Sequence, residues 1–172
     1  MQNSDNENNT VQQREGSPLS NIQSILLYGY GNTTRRDDRL GIDCVTLMEE
    51  WIALNRIDFV TCKTSPQLNI EDAEEISTYD IVILADASID DIGGVQFSGV
   101  EIEETAAFTT HTVSPSHLLK LSRELFAGNP LVYLLQIQGY EWDFSEELTQ
   151  QGEKNLQKAV ILLKQKLTEF QR

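Results

Sequence analysis

The sequence has few positive charges: its 172 residues include 13 Lys and Arg against 27 Asp and Glu, which gives a net charge of −14 at pH 7. Such a surface repels the phosphates of nucleic acids and the headgroups of anionic lipids, so we exclude nucleic acid and membranes as partners. No segment approaches the roughly 20 consecutive apolar residues that a membrane-spanning helix requires. The polar N-terminus also lacks the apolar core of a signal peptide, and we therefore expect a cytoplasmic protein.

Cysteine is equally scarce. Cys44 and Cys62 lie within apolar patterns and form no CxxC motif, so we interpret them as reduced, buried residues that form neither a disulfide nor a metal cluster. Residues 1–21 are mainly Asn, Gln, Ser and Glu, a composition that predicts a flexible polar tail. Residues 22–172 have the length of one ordinary domain, and we predict a single α/β domain there.

Short apolar runs alternate with amphipathic segments along this domain. The pattern predicts strands at 24–29, 58–64, 80–86, 95–103 and 131–138, and helices at 40–54, 70–77, 115–126 and from 149 onwards. This alternation is typical of a three-layer α/β fold, with a mainly parallel, doubly wound sheet and helices on both faces. Segment 95–103 alternates apolar and polar residues, which indicates an antiparallel strand at the edge of the sheet.

The first predicted strand ends in Gly29-Tyr30-Gly31, which could begin a dinucleotide-binding fingerprint. That fingerprint requires a third glycine where this chain has Thr34, and the loop before the next helix is too long. We therefore exclude a nicotinamide cofactor. The sequence also has no Gly-x-Ser-x-Gly, P-loop or His-Glu-x-x-His motif, which excludes the enzyme classes that those motifs indicate.

Carboxylates follow two neighbouring strands of the predicted sheet. Asp37 and Asp38 precede the first helix, and Asp86 ends the third strand. We assign Asp37 as a helix cap, and we expect Asp38 and Asp86 to meet at the carboxyl edge of the sheet, where such folds bind ligands. The two histidines are His111, just before a helix, and His117, in its first turn. Two carboxylates and an imidazole would suit Zn²⁺ or Ni²⁺, but the residue types alone also permit loop capping.

Together these motifs resemble one known family. The segments Gly29-Tyr30-Gly31-Asn32, Arg36-Asp37-Asp38-Arg39-Leu40-Gly41, Ile83-Leu84-Ala85-Asp86-Ala87 and Thr110-His111-Thr112-Val113-Ser114-Pro115 occur in the same order as in the [NiFe]-hydrogenase maturation endopeptidases. The resemblance extends over residues 24–170. Members of this family remove a short C-terminal extension from the hydrogenase large subunit after nickel insertion, and they recognise nickel in the precursor.

The resemblance implies an aspartic-type, nickel-directed endopeptidase. Its catalytic residues and metal ligands would be Asp38, Asp86 and His111, with His117 as the alternative histidine. The nickel-loaded large-subunit precursor would be the partner and would supply the nickel, so no permanently bound cofactor is expected. One departure from the family is Arg39, which stands where many members have glycine. Two other functions stay open: a non-catalytic checkpoint module that binds the loaded precursor, and a flavodoxin-like binder of small molecules.

Overall fold

The computed structural model describes residues 22, 24–103 and 113–171. In chain order they form β1 (Ile25–Tyr30), a 3₁₀ segment (Arg36–Arg39), α1 (Leu40–Asn55), β2 (Val60–Ser65), α2 (Asp72–Ile76), β3 (Ile81–Ser88), β4 (Val95–Gly99), α3 (Pro115–Phe126), β5 (Leu131–Gln138) and α4 (Gln150–Phe170). Within these ranges, no helix combines the length and hydropathy needed to cross a bilayer. The predicted tail, residues 1–21, lies outside the described residues.

The strands form one sheet in the order β2-β1-β3-β5-β4. The pairs β1–β2, β1–β3 and β3–β5 are parallel, and β4 pairs antiparallel with β5 at one edge. The predicted doubly wound sheet with one antiparallel edge strand is therefore confirmed. Because β1 and β3 lie inside the sheet with helices on both faces, their residues are almost all buried, which explains their continuous apolar runs.

Each face of the sheet has its own apolar core. Alternate residues of β1 and β3, such as Leu27 and Ile83, pack against α1 and α4 on the first face. The intervening residues, such as Leu26 and Leu84, pack against α2 and α3 on the second face. The two clusters make the protein a three-layer molecule, as predicted.

Two elements are at least three residues shorter than predicted, while the other boundaries lie within two residues of the prediction. The edge strand β4 ends at Gly99, although its alternating pattern predicted a strand to residue 103. The chain leaves the sheet there: the Val100 amide still bonds the Val132 carbonyl at 2.8 Å, but the Glu103 amide bonds the Ser116 side chain in α3. The helix predicted at 70–77 is the shorter α2, because the preceding residues form turns closed by bonds such as Asp72 N–H to the Asn69 carbonyl.

Candidate functional site

The loop after β1 folds back on itself at Gly31. This residue has φ +142°, and a Cβ there would lie 2.0 Å from the carbonyl oxygen of Asp38. The amide of the next residue, Asn32, donates to that same carbonyl at 3.2 Å. Only glycine permits so close an approach in this backbone conformation. The glycine therefore places Asp38 directly beside the carboxyl end of β1.

Two further glycines bring the start of α1 against the strands. A Cβ on Gly41 would lie 2.3 Å from the Ala85 carbonyl oxygen and 2.7 Å from that of Tyr30. A Cβ on Gly29 would lie 2.4 Å from the Gly41 carbonyl oxygen. Close helix–strand packing is the role that a dinucleotide fingerprint gives to a glycine at position 34. In this chain Gly41 has that role, and the start of α1 lies over the ends of β1 and β3.

This packing brings Asp38 and Asp86 together. Both carboxylates are partly buried, and burial raises the pKa of each. The charge of Asp38 raises the pKa of Asp86 further, to about 6, although hydrogen bonds from the Tyr30 hydroxyl and the Ala87 amide lower it. Arg35 moderates the shift at Asp38 by lowering its pKa. The two carboxylates are thus close enough to repel each other at the carboxyl edge of the sheet.

Tyr30 belongs to this site, although sequence reasoning did not select it. Its hydroxyl is hydrogen-bonded to the Asp86 side chain, and burial, followed by the Asp86 charge, raises the pKa of the phenol. Gly29 is opposite Ala85 in the parallel register, so Tyr30 and Asp86 are the next residues on adjacent strands. The available signal was alternation: Tyr28 and Tyr30 are two residues apart and therefore point to the same face of β1.

Asp37 has a different role from its neighbour, and the prediction that it caps its own helix is wrong. Neither the 3₁₀ segment nor α1 has a side-chain cap. Asp37 is fully buried, and its carboxylate accepts bonds from the amides of Tyr140, Glu141 and Thr149 and from the Thr149 hydroxyl, at 2.8, 3.4, 2.8 and 2.6 Å. Since Thr149 is the N-cap of α4, Asp37 joins the loop that carries Asp38 to the start of the last helix.

Backbone bonds extend this connection along the loop. The Arg36 amide donates to the Asp143 carbonyl and the Asp37 amide to the Glu141 carbonyl, each at 3.1 Å. The Arg35 side chain donates to the Trp142 carbonyl at 3.0 Å. The segment before Asp38 is therefore held along its length by the loop that follows β5.

Arg39, the departure from the resembling family, takes ordinary helical backbone angles, φ −85° and ψ −6°. Its guanidinium bonds both carboxylate oxygens of Asp43, at 2.7 and 3.1 Å. It also donates to the Glu146 carbonyl at 2.9 Å. The absence of glycine at this position therefore causes no backbone strain, and the arginine adds a further tie between α1 and the loop before α4.

The histidine of the predicted site cannot be placed in the same way. His111 lies outside the described residues. His117 is partly buried in the first turn of α3, where its amide donates to the N-cap side chain of Ser114 at 3.2 Å. Within the described ranges, no group of three His, Cys, Asp or Glu side chains is arranged to hold a metal ion. Of the predicted ligands, the structure brings together Asp38 and Asp86.

Comparison with known proteins finds relatives in both sequence and structure. No family model matches the chain. A protein of Methanocaldococcus jannaschii, named as a candidate hydrogenase maturation protease, is 27% identical over 147 residues, which cover 79% of this chain and 86% of that protein. The chain is also similar in fold to the hydrogenase maturating endopeptidase HybD of E. coli, with TM-score 0.65 and 22% identity over 85% of this chain and 93% of HybD.

A third relative has the same fold. The [NiFe] hydrogenase maturation protease HycI of Thermococcus kodakarensis superposes with TM-score 0.67 and 17% identity, covering 84% of this chain and 92% of HycI. The resemblance that the motifs predicted is therefore confirmed: a sequence relative carries a hydrogenase maturation protease name, and the solved structures share the α/β fold.

Proposed function

We propose that this chain is a hydrogenase maturation protease, an endopeptidase that removes the C-terminal extension of a [NiFe]-hydrogenase large-subunit precursor after nickel insertion. The names of the sequence relative and of the structural relatives support the protease function. The observation that carries the proposal is the pair Asp38 and Asp86, two partly buried carboxylates at the ligand-binding edge of the sheet. Burial raises the pKa of both, and the charge of Asp38 raises the pKa of Asp86 further.

The chemistry of this pair suits a cation brought by the substrate. Neither Asp38 nor Asp86 forms a salt bridge with another described residue. The charge of Arg35 lowers the pKa of Asp38 but Arg35 forms no salt bridge with either carboxylate, so the pair has an electrostatic reason to accept a divalent ion. Oxygen donors together with an imidazole from His111, or from His117, form a ligand set that Ni²⁺ accepts. The nickel in the precursor would be the ion that they bind.

Binding the substrate's nickel would direct cleavage. Asp38 and Asp86 would hold the ion and, through it, keep the precursor's tail in register with the site. One carboxylate would accept a proton from the water that attacks the scissile carbonyl, and that proton would pass to the departing amine. The positive charge of the ion beside the carbonyl would stabilise the oxyanion. A precursor without nickel would lack the anchor, so processing would wait for metal insertion.

The test is a processing assay with purified chain and large-subunit precursor, prepared with and without nickel. We expect a shift in electrophoretic mobility only with the nickel-loaded precursor. Asp38→Asn and His111→Ala should abolish the shift, whereas Asp58→Asn, a change of the same type at an exposed position before β2, should cleave normally. His117→Ala decides between the two histidines, because only the variant that lacks the ligand should lose activity.

Two outcomes would overturn the proposal. Normal cleavage by both Asp38→Asn and His111→Ala would remove these residues from the mechanism. Binding of loaded precursor by the wild-type chain, without any cleavage, would instead identify a checkpoint module that recognises nickel and cuts nothing.

A further inference from the structure

Tyr30 lies where it can control the geometry of Asp86. We propose that Tyr30 is a positioning residue, which fixes the Asp86 carboxylate so that it offers one defined oxygen to the precursor's nickel. This inference rests on the proposed function, and it adds a residue that the sequence motifs did not select.

The strand register places the two side chains next to each other. Gly29 is paired with Ala85 in the parallel ladder between β1 and β3, so Tyr30 and Asp86 follow on adjacent strands. Alternation directs both to the second face of the sheet, since Leu84 and Tyr28 lie in the core on that face. The Tyr30 hydroxyl accordingly donates a hydrogen bond to the Asp86 carboxylate.

Tyr30 is itself supported by a contact with the Tyr28 ring. Its ring meets the Tyr28 ring edge-on, with centroids 6.4 Å apart and planes at 78°. The Tyr28 ring is fully buried in the core on the second face, and the Lys63 ammonium lies 4.6 Å from its centroid. A side chain with such support keeps its orientation before any ligand arrives, which is what a precise binding site requires.

The bonds to Asp86 limit how it can bind an ion. A carboxylate has about four lone-pair positions, and in Asp86 the Tyr30 hydroxyl and the Ala87 amide take part of this capacity. The remaining capacity is available to an ion that also contacts Asp38, whose charge acts on Asp86. Groups that orient a metal ligand typically change metal affinity or activity by about 10–100-fold when they are removed.

The chain offers a matched pair of variants. Tyr30→Phe and Tyr28→Phe each remove one hydroxyl from the same face of β1, and each removes one hydrogen bond to an aspartate. Tyr28→Phe keeps the ring that contacts Tyr30. Three measurements on the full-length chain separate the two: kcat and KM for nickel-loaded precursor, Ni²⁺ affinity by calorimetry, and the thermal midpoint.

We expect Tyr30→Phe to raise KM about 10–100-fold and to weaken Ni²⁺ binding by a similar factor, with kcat changed little. Tyr28→Phe should lower the thermal midpoint and leave KM and Ni²⁺ affinity within about twofold of wild type, because its hydroxyl serves the fold. A purely structural defect in Tyr30→Phe would reduce the folded fraction, and thus the apparent kcat, without raising KM.

The role of Tyr30 is overturned if Tyr30→Phe processes precursor with wild-type KM, or if Tyr28→Phe raises KM as much as Tyr30→Phe does. These results can be distinguished from failure of the proposed function. If the proposed function fails, the wild-type chain itself leaves nickel-loaded precursor uncut, and the role of Tyr30 is then overturned as well.

Discussion

Strand β1 carries two tyrosines whose hydroxyls bond aspartates in opposite electrostatic surroundings. Tyr28 bonds Asp72, and Tyr30 bonds Asp86. Burial favours protonation of both carboxylates, but at Asp72 the Lys63 ammonium at 2.7 Å, together with other hydrogen bonds, outweighs burial and lowers the pKa. At Asp86 burial prevails, and the pKa rises to about 6.

The pKa values of the two aspartates shift in opposite directions because each aspartate faces a different charged side chain besides its tyrosine. Asp72 faces the cation of Lys63, which also bonds Glu75, so its charge is neutralised within the fold. Asp86 faces Asp38, another carboxylate. In a pair of opposite charges each charge neutralises the other, whereas a pair of carboxylates is stabilised electrostatically by an added cation. Two similar Tyr–Asp contacts made by one strand thus have different roles, one structural and one, under our proposal, catalytic.

Replacement of Asp86 should give the largest effect on activity. We expect Asp86→Asn to slow processing of loaded precursor by at least about 100-fold, because an oriented acid or base contributes about 10²–10⁴-fold. The thermal midpoint should not fall, since asparagine keeps the shape and removes a buried charge beside Asp38. Calorimetric scans and the processing assay check both parts. Processing at more than a third of the wild-type rate would contradict the contrast between the two aspartates.

The corresponding change at Asp72 should have the reverse effect. Asp72→Asn leaves the Lys63 ammonium without one of its carboxylates, and we expect a loss of about 2–3 kcal/mol in the free energy of unfolding. This is less than the roughly 3–5 kcal/mol of a fully buried pair, because Lys63 is partly exposed. Urea titrations measure the loss. The folded variant should process precursor at the wild-type rate, and a large rise in KM or fall in kcat would make Asp72 part of the site.

The pH dependence of stability sharpens the contrast further. The pKa of Asp72 is lower in the folded protein than its ordinary value of 3.8, so its ionised form stabilises the fold. That contribution is complete above the ordinary value and is lost as pH falls through the lowered pKa. The gap in unfolding free energy between wild type and Asp72→Asn should thus stay constant from about pH 7 to 5 and shrink below about pH 4. A gap independent of pH would show that ionisation of Asp72 contributes nothing.

Asp37 is a third kind of carboxylate. It is buried, and its partners among the described residues are uncharged hydrogen-bond donors. Thr149→Val removes the hydroxyl that donates to Asp37 and that caps α4 through the Gly152 amide. We expect a loss of about 1–2 kcal/mol in unfolding free energy. Thr149→Ser keeps the hydroxyl and should stay within about 0.5 kcal/mol of wild type. Equal losses in both variants would show that the hydroxyl and its hydrogen bonds to Asp37 and Gly152 are not the cause.

Local patterns were sufficient to predict the sheet. The apolar runs of β1 and β3 mark central strands, and Ser114-Pro115 marks the start of α3, because these signals depend on neighbours in the sequence. The meeting of Asp38 with Asp86 also followed from a general rule, that parallel strands bring their carboxyl ends to one edge.

Long-range partners could not be predicted in this way. The bond from Tyr30 to Asp86 depends on the strand register, which no short motif reveals. The partners of Asp37 lie more than 100 residues away in the sequence, so the neighbouring residues indicated only a helix cap. Placement of the imidazole depends on His111, outside the described residues, or on His117.

The bonds that anchor Asp37 also set an order of events while the protein is being made. Their donors, Tyr140, Glu141 and Thr149, leave the ribosome long after β1 and its loop, because synthesis proceeds from the N-terminus. Until those residues are made, the carboxylate of Asp37 has none of these donors, and the segment that carries Asp38 lacks the hydrogen bonds that hold it. Under the proposed function, we therefore expect a nascent chain that contains every strand of the sheet but not yet α4 to be inactive.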